Sequence, residues 1–353
     1  MNSNNESADK EYPIDVSIVV PAYNESENVA DTVERIAAAF ADRPERWEVV
    51  LVDDGSTDDT RAVIARLARA DPRVVLAGYD QNAGRGRALR VGFAKAQGEF
   101  VVSIDADLSY APVYILDLLD ALYADPEVDF VLGSPYMPGG DTEGVDPRRL
   151  LISRLGNKVL QATVNRDVYT YTGIFRAYRR QVLETLELDS DGKEIHLEIL
   201  SRALGAGYRV KEVPAVLRSR KKGRSKFRFG GTALSHLLFS FNERPILIFG
   251  GVGLGLLVSG ILAGIYVSIL RFQGALTPAR PLITVVVVLS LAGLQILSFG
   301  FVAVQIGALR REVYKIQREN LLLNRRLLRA LSEEGGRVGD GAAPSVGNRR
   351  EEW

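Results

Sequence analysis

The chain has 353 residues, 46% of them hydrophobic and 25% charged, which is ordinary for a globular protein and excludes a disordered or fibrous one. Lys plus Arg and Asp plus Glu number 44 each, so no overall charge favours a nucleic acid partner. The absence of Cys excludes disulfides, thiolate metal sites and a Cys nucleophile, and two His residues exclude a His-rich metal cluster.

Strand and helix patterns alternate through the first half of the chain. Apolar runs predict buried strands over 16–23, 47–52, 74–79 and 100–104, and helical spacing predicts helices over 25–42, 58–70 and 85–97. Residues 111–217 continue with helices over 112–123, 149–164 and 194–205 and strands over 130–133, 170–178 and 208–216. This order predicts an α/β fold with a mainly parallel sheet and helices on both faces.

Polar and acidic residues follow three of these strands. They are Pro21 to Glu25, Asp53-Asp54, and Asp105 with Asp107. Parallel sheets bind ligands at the carboxyl ends of their strands, and two carboxylates there can share a hard divalent cation that holds a diphosphate. Alternatively, the acids only cap helix N-termini. Three such strand ends in one sheet favour a common site.

The last third of the chain carries a membrane pattern. Segments 245–270 and 281–309 contain no charged residue, and each exceeds the roughly 20 residues that cross a bilayer core. Basic residues concentrate at 218–244 and 310–318, while the link 271–280 has two. The positive-inside rule then predicts a multi-pass protein of the cell membrane, with both termini in the cytoplasm.

Taken together, the patterns predict six regions. Residues 1–13 form a disordered N-terminus, 14–228 a cytoplasmic catalytic domain, 229–244 an amphipathic helix at the membrane surface, 245–309 two transmembrane helices (245–270 and 281–309), 310–334 an amphipathic coiled-coil helix, and 335–353 a disordered tail.

Four motifs, in order and spacing, resemble one known family. They are VSIVVPAYNE, LVDDGSTD, NAGRGRALRVGF and DADL. The set is similar to family 2 glycosyltransferases of the A-type nucleotide-sugar fold, in the branch of dolichyl-phosphate mannosyltransferases and undecaprenyl-phosphate glycosyltransferases. The resemblance covers about residues 14–228. It implies transfer of one sugar, with inversion, from a GDP- or UDP-sugar to a polyprenyl phosphate.

The resemblance also implies roles for individual residues on the donor side. Nucleotide contacts fall to Pro21, Tyr23, Glu25, Asp53, Asp54, Gly84 and Asp105, and Gly86 leaves room for the nucleotide as well. Asp105 and Asp107 would bind Mg²⁺ or Mn²⁺, and Asp107 is implied to be catalytic. Ser109 stands where the branch often has Gln, so water would complete the metal shell.

On the acceptor side, the segment Gly223 to Lys226 resembles a phosphate-binding loop of the branch. Lys226 and Arg220 would neutralise the phosphates of the acceptor and of the leaving group, and Arg149, Ser153 and Ser225 would hold the acceptor phosphate. The basic cluster could instead dock anionic lipid. Pro135 replaces an Arg usual in the branch, which leaves Arg148, Arg176 or Arg180 as substitutes.

Two alternatives remain. Transfer to a lipid or polysaccharide hydroxyl needs a general base, for which Glu194 is the reserve candidate, while Glu198 is read as structural. A non-enzymatic membrane scaffold would have lost its metal ligands, yet both acids of DADL are present.

The segment after the second span predicts oligomerisation. Val313, Ile316, Asn320, Leu323 and Leu327 recur at spacings of three and four, as in a coiled-coil seam with a buried Asn. This favours a homodimer or homotetramer. The alternative is a helix that packs on its own catalytic domain.

Overall fold

The computed structural model describes residues 12–147, 150, 153–154, 157, 168–219, 245–273 and 281–339. Nine strands are described: β1 (Ile14–Ala22), β2 (Trp47–Asp54), β3 (Val74–Tyr79), β4 (Gly98–Ser103), β5 (Phe130–Ser134), β6 (Asp141–Glu143), β7 (Arg176–Arg179), β8 (Val210–Pro214) and β9 (Val216–Arg218). The helices are α1 (Val29–Ala39), α2 (Thr60–Ala70), α3 (Arg85–Lys95), α4 (Tyr114–Ala124), α5 (Arg180–Thr185), α6 (Ile195–Gly205), α7 (Pro245–Phe272) and α8 (Pro281–Gly339).

Seven strands form one sheet in the order β3-β2-β1-β4-β7-β5-β8, and β6 pairs with β9 beside it. The pairs β1–β2, β1–β4, β2–β3 and β5–β8 are parallel. Strand β7 is antiparallel to both of its neighbours. The predicted fold class is confirmed, and β7 joins its two parallel parts.

Both faces of the sheet are apolar because alternate residues of each central strand pack on opposite sides. In β1, Ile18 packs in the core formed with α1, α2 and α4, whereas Val19 packs in the core formed with α3, α5 and α6. Both are fully buried. Burying such a side chain contributes about 1.5–3 kcal/mol, which explains why the strands read as continuous apolar runs.

Several boundaries differ from the sequence predictions. The strand predicted over 170–178 is instead the shorter strand β7, Arg176–Arg179. The strand predicted over 208–216 is divided into β8 and the first residue of β9. Side-chain hydrogen bonds explain the first difference, because Glu212 accepts from the backbone N–H groups of Tyr169 and Thr170. The small strand β6 and helix α5 have no clear sequence signal.

The two apolar helices α7 and α8 pack against each other through glycines. A Cβ atom on Gly253 would meet the Gly293 carbonyl oxygen at 3.0 Å, and one on Gly293 would meet the Leu257 backbone nitrogen at 2.7 Å. Small residues let membrane helices approach closely. Both helices are long and apolar enough to cross a membrane, and most of their apolar side chains are exposed.

The second apolar segment and the amphipathic segment after it form one helix, α8, instead of two. It continues to Gly339, five residues into the tail predicted to be disordered. Tyr314 packs against the apolar core beside α6, and Arg318 Nη1 donates to the Gly207 carbonyl oxygen at 3.0 Å. This helix therefore links the pair of apolar helices to the α/β domain.

Candidate active site

A cleft of about 610 Å³ opens at the carboxyl ends of β1, β2 and β4. Its walls also include residues from the β6–β9 ribbon and from the segment before α6. Seven of the predicted site residues line it: Pro21, Tyr23, Glu25, Asp54, Asp105, Asp107 and Ser153. Because the strands are parallel, their carboxyl ends share one edge, and the fold gathers residues that are more than 130 positions apart in the sequence.

Asp105 and Asp107 lie in the turn after β4. Ile104 donates its N–H to the Val19 carbonyl oxygen at 3.1 Å, which holds the start of the turn against β1. Thr32 of α1 holds its middle, with Oγ1 2.9 Å from the Ala106 carbonyl oxygen. The backbone N–H of Ser109 donates to Asp107 Oδ1 at 3.0 Å. Both carboxylates are thus positioned by contacts from other elements.

Two residues at this edge have positive φ angles although they are not glycine. Leu108 has φ of 56° and Asn24 has φ of 53°. Such backbone strain collects at functional sites, where the surrounding structure holds it. Leu108 directly follows Asp107, and Asn24 lies between the cleft residues Tyr23 and Glu25, so both strained residues shape the cleft.

Asp54 organises the loop before α3. Its Oδ1 accepts from the Tyr79 hydroxyl at 2.6 Å and from the backbone N–H groups of Ala83 and Gly84. Burial, together with the hydrogen bond to Asp54, raises the pKa of Tyr79 well above its usual value, so this phenol remains a donor. Asp54 therefore fixes the loop as well as lining the cleft.

Asp53 and Gly84 are not among the described residues that line the cleft. Asp53 is buried, accepts from the Ser56 N–H at 3.1 Å and lies 3.7 Å from Arg61. A Cβ atom on Gly84 or Gly86 would collide with the backbone of residues 190–192. The close approach that these glycines allow in the structure is therefore to that loop.

Four predicted residues, Arg149, Arg220, Ser225 and Lys226, lie outside the described part of the chain, as do Arg148 and the helix predicted over 229–244. Ser153 does line the cleft, with its hydroxyl 2.7 Å from the Tyr136 hydroxyl. The acceptor side is therefore described only at Ser153 and its neighbours.

Arg176 and Arg180, considered as substitutes for the missing Arg at Pro135, bind the fold instead. The buried Arg176 donates to the carbonyl oxygens of Tyr171, Gly173 and His196. Arg180 donates to the carbonyl oxygens of Ala96 and Gly98. Both guanidinium groups thus donate to backbone carbonyl oxygens, so neither is placed to hold a phosphate in the cleft.

Glu198 is structural, as its position on the predicted helix suggested. It is buried and accepts from the backbone N–H groups of Asp189 and Ser190, and Arg202 pairs with it at 2.8 Å. Glu194 accepts from the Gly192 N–H and is not among the described residues lining the cleft. The carboxylate expected to be a reserve base thus supports a loop.

Sequence reasoning missed the basic residues of the cleft. Arg85, Lys193 and Arg218 line it, and Arg85 Nη2 forms an ion pair with Asp105 Oδ1 at 2.9 Å. Arg85 could have been noticed as the basic residue between the two glycines of NAGRG. Nothing in the sequence near Lys193 indicates that its loop reaches the cleft.

Comparison with known proteins agrees with this geometry. Residues 17–187 match the model of Glycosyl transferase family 2. A polyprenol monophosphomannose synthase from Mycolicibacterium smegmatis is 35% identical over 233 residues, which cover 64% of this chain and 85% of that protein. The chain belongs to glycosyltransferase family 2 and is a glycosyltransferase enzyme.

Two further similarities extend the comparison. An undecaprenyl-phosphate 4-deoxy-4-formamido-L-arabinose transferase from Pseudomonas aeruginosa is 29% identical over 312 residues, 86% of this chain and 88% of that protein. A glucosyl-3-phosphoglycerate synthase structure from Mycobacterium tuberculosis, in complex with Mn²⁺, UDP-glucose and phosphoglyceric acid, has a TM-score of 0.51 and 20% identity, over 65% of this chain and 80% of that one. The second similarity identifies the same fold.

Proposed function

We propose that this enzyme transfers one sugar from a GDP- or UDP-sugar to a polyprenyl phosphate at the cytoplasmic face of the cell membrane. The observation that carries the proposal is the cleft itself, which Asp105, Asp107 and Ser153 all line. The relatives named for polyprenol and undecaprenyl phosphate chemistry match 64% and 86% of this chain. The exposed apolar hairpin supports an acceptor that resides in the membrane.

The donor side fits a divalent cation, Mg²⁺ or Mn²⁺. Oxygen ligands from one or two carboxylates, completed by substrate phosphates and water, are what Mg²⁺ sites commonly use, and Asp105 and Asp107 supply them. Among the described residues lining the cleft, five are acidic and three are basic: Glu25, Asp54, Asp105, Asp107 and Asp146 against Arg85, Lys193 and Arg218. A diphosphate therefore needs an added cation there, which would neutralise the leaving group.

The nucleotide would lie along the ends of β1 and β2. Tyr23 offers a stacking face and Glu25 an acceptor for base or ribose donors, beside Pro21. Asp53, Asp54 and Gly84 would act from the neighbouring loops. Asp54 also holds the loop of Gly84 through the hydrogen bonds described above.

In the proposed reaction, an oxygen of the acceptor phosphate attacks the anomeric carbon. The bond from that carbon to the diphosphate oxygen breaks, and the nucleoside diphosphate leaves with the electron pair, which inverts the configuration. The attacking phosphate is already anionic near neutral pH, so no general base is required. Glu194, the reserve base of the hydroxyl alternative, accepts from the Gly192 N–H and is not among the described residues lining the cleft, which supports a phosphate acceptor over a hydroxyl.

The acceptor phosphate would be held by Arg149, Ser153 and Ser225, while Lys226 and Arg220 neutralise charge during transfer. Fixed cations of this kind stabilise the developing charge of a leaving phosphate. Except for Ser153, these residues are proposed from the sequence motif. Both chain termini would lie in the cytoplasm, together with the catalytic domain.

The test uses the purified full-length protein with Mg²⁺, a panel of GDP- and UDP-sugars and a short polyprenyl phosphate. We expect a lipid-linked sugar that mild acid releases, because a glycosyl phosphate is acid-labile whereas a glycoside is not. An acid-stable product would establish the hydroxyl-acceptor alternative.

A Lys226→Ala variant should lose turnover in detergent; normal kinetics with weaker membrane association would instead assign the basic cluster to lipid docking.

A further inference from the structure

Arg85 pairs with one of the two carboxylates proposed to bind the metal. The 2.9 Å ion pair joins the first residue of α3 to the turn after β4, and the two side chains are 30% and 18% exposed. Both residues line the cleft. A guanidinium therefore lies at the carboxylate that a metal cation would use.

The N-terminus of α3 is not available to receive the diphosphate. Helix N-termini often bind phosphate through their free backbone N–H groups. Here the N–H groups of Gly86 and Arg87 both point to the Asp191 carbonyl oxygen, at 2.7 and 3.3 Å. The close packing of residues 190–192 on both glycines leaves no space between them. Charge at this end of the cleft must then come from a side chain.

The other two basic residues that the structure describes in the cleft lie on different segments. Arg218, on β9, pairs with Glu143 of β6 at 2.8 Å. Lys193 belongs to the loop before α6. Arg85 pairs directly with a carboxylate of the DADL turn, and its planar fork suits two phosphate oxygens.

We propose that Arg85 exchanges partners during donor binding. Without donor, its guanidinium neutralises Asp105; when metal and nucleoside diphosphate bind together, the metal takes the Asp105 carboxylate and Arg85 moves to the diphosphate. This inference rests on the proposed function. In this role Arg85 couples the binding of the metal to the binding of the nucleoside diphosphate. The metal alone must displace Arg85 from Asp105, whereas the metal and nucleotide together give Arg85 a new partner.

The test measures Mn²⁺ binding to the full-length protein in detergent by electron paramagnetic resonance, without nucleotide and with GDP or UDP. For Arg85→Gln we expect Mn²⁺ alone to bind about fivefold more tightly, since one positive charge about 4 Å away is removed. In the presence of Mn²⁺, the nucleoside diphosphate that binds wild type should bind at least about tenfold more weakly. An increase in Mn²⁺ affinity together with a decrease in nucleoside diphosphate affinity is the result that only an exchange of partners predicts.

Arg35→Gln is the matched control. It breaks an Arg–Asp pair of similar length, 2.7 Å to Asp31, on the exposed side of α1 and outside the cleft, and it should change neither affinity. If Arg85→Gln weakens both affinities, or changes neither, while its unfolding temperature is unaltered, the exchange is wrong but the metal site stands. If wild type and Asp107→Asn both fail to bind Mn²⁺ with either nucleotide, the proposed metal site fails and the exchange with it.

Discussion

Individual side chains divide into those that face the cleft and those that hold its walls. Asp107 belongs to the first kind, although only 9% of it is exposed. Arg176, which is larger and deeper, belongs to the second kind. Both are charged, and their partners distinguish them: Asp107 accepts from the backbone N–H of Ser109 in its own turn, whereas Arg176 donates to three carbonyl oxygens.

Asp107→Asn should abolish sugar transfer and leave the fold intact. Asn retains the oxygen that accepts from Ser109 but loses the negative charge that a cation requires. We expect less than about a tenth of the wild-type rate, a barrier increase above 1.4 kcal/mol. Turnover and unfolding temperature would be measured beside Asp31→Asn, an exposed carboxylate on α1. A higher residual rate would exclude Asp107 as a main metal ligand.

Arg176→Met should damage the fold before it affects any binding step. The change removes the donor from the carbonyl oxygens of buried Tyr171 and His196 and of half-buried Gly173. Each buried group left without its partner costs about 1–3 kcal/mol. We expect the unfolding temperature of the catalytic domain to fall by at least about 5 °C. An unchanged unfolding temperature with weaker acceptor binding would show instead that Arg176 binds the acceptor phosphate.

At the scale of elements, the two apolar helices depend on glycine for their distance. Gly253 and Gly255 lie on the same helix, α7, but a Cβ on Gly253 would meet Leu297 at 2.8 Å whereas one on Gly255 would meet nothing within 4 Å. The sequence shows two equivalent glycines, and the packing makes them different.

Gly253→Leu should therefore separate α7 from α8, while Gly255→Leu should be tolerated on the exposed face. We expect a lower unfolding temperature in detergent for the first variant and a value near wild type for the second. The pair is matched in residue, helix and added volume. Equal effects of the two substitutions would contradict the packing of this hairpin.

The part of α8 that follows the apolar segment presents two faces. Tyr314 and Arg318 contact the catalytic domain, which agrees with the alternative that the helix packs on its own protomer. The predicted seam remains uncovered, since Val313, Ile316, Leu323 and Leu327 are each more than half exposed. The helix can therefore serve its own domain and still offer an apolar stripe to another copy.

Ile316→Gln combined with Leu323→Gln should shift the detergent-solubilised protein from a dimer or tetramer toward the protomer. Light scattering measures the mass of the protein component directly. Truncation after Arg311 should give the same shift, but it also removes the contacts of Arg318, so the double variant is the cleaner test. Lys315→Gln, on the exposed surface of the same helix, is the control. A mass unaffected by the double variant would refute the seam.

At the scale of the whole molecule, α8 both contains the second apolar segment and contacts the catalytic domain. The Arg318 guanidinium of α8 makes three contacts with the catalytic domain. It lies 4.4 Å above the Tyr208 ring and 3.9 Å from Asp129, and it donates to the Gly207 carbonyl oxygen at 3.0 Å. Asp129 is buried at this joint between α8 and the catalytic domain, and burial raises the pKa of its carboxyl group. Such a joint can set the orientation of the cleft relative to the membrane.

Arg318→Ala should loosen this joint without touching the cleft. We expect turnover with a long polyprenyl phosphate in lipid nanodiscs to fall several-fold, while Mn²⁺ and nucleotide binding in detergent stay unchanged. Lys315→Ala, one turn earlier and removing an exposed ion pair with Glu312, should keep both properties. A loss of nucleotide binding in Arg318→Ala would show instead that the joint maintains the catalytic fold.

The amino-acid sequence by itself determined the α/β class, the apolar hairpin and the acids at three strand ends. Each of these follows from local pattern: strand and helix periods, uncharged runs of sufficient length, and residues that directly follow a buried strand. Six predicted residues at these strand ends consequently line one cleft in the structure.

Only the tertiary structure decided what depends on distant segments. Three features depend on partners far along the chain. They are the antiparallel position of β7 in the sheet, the packing of residues 190–192 on Gly84 and Gly86, and which of the arginines line the cleft. Arg85 and Arg176 carry the same guanidinium, yet one reaches the cleft and the other is enclosed by carbonyl oxygens. Side-chain chemistry is fixed by the residue, but which groups it meets is set by how the chain folds back on itself.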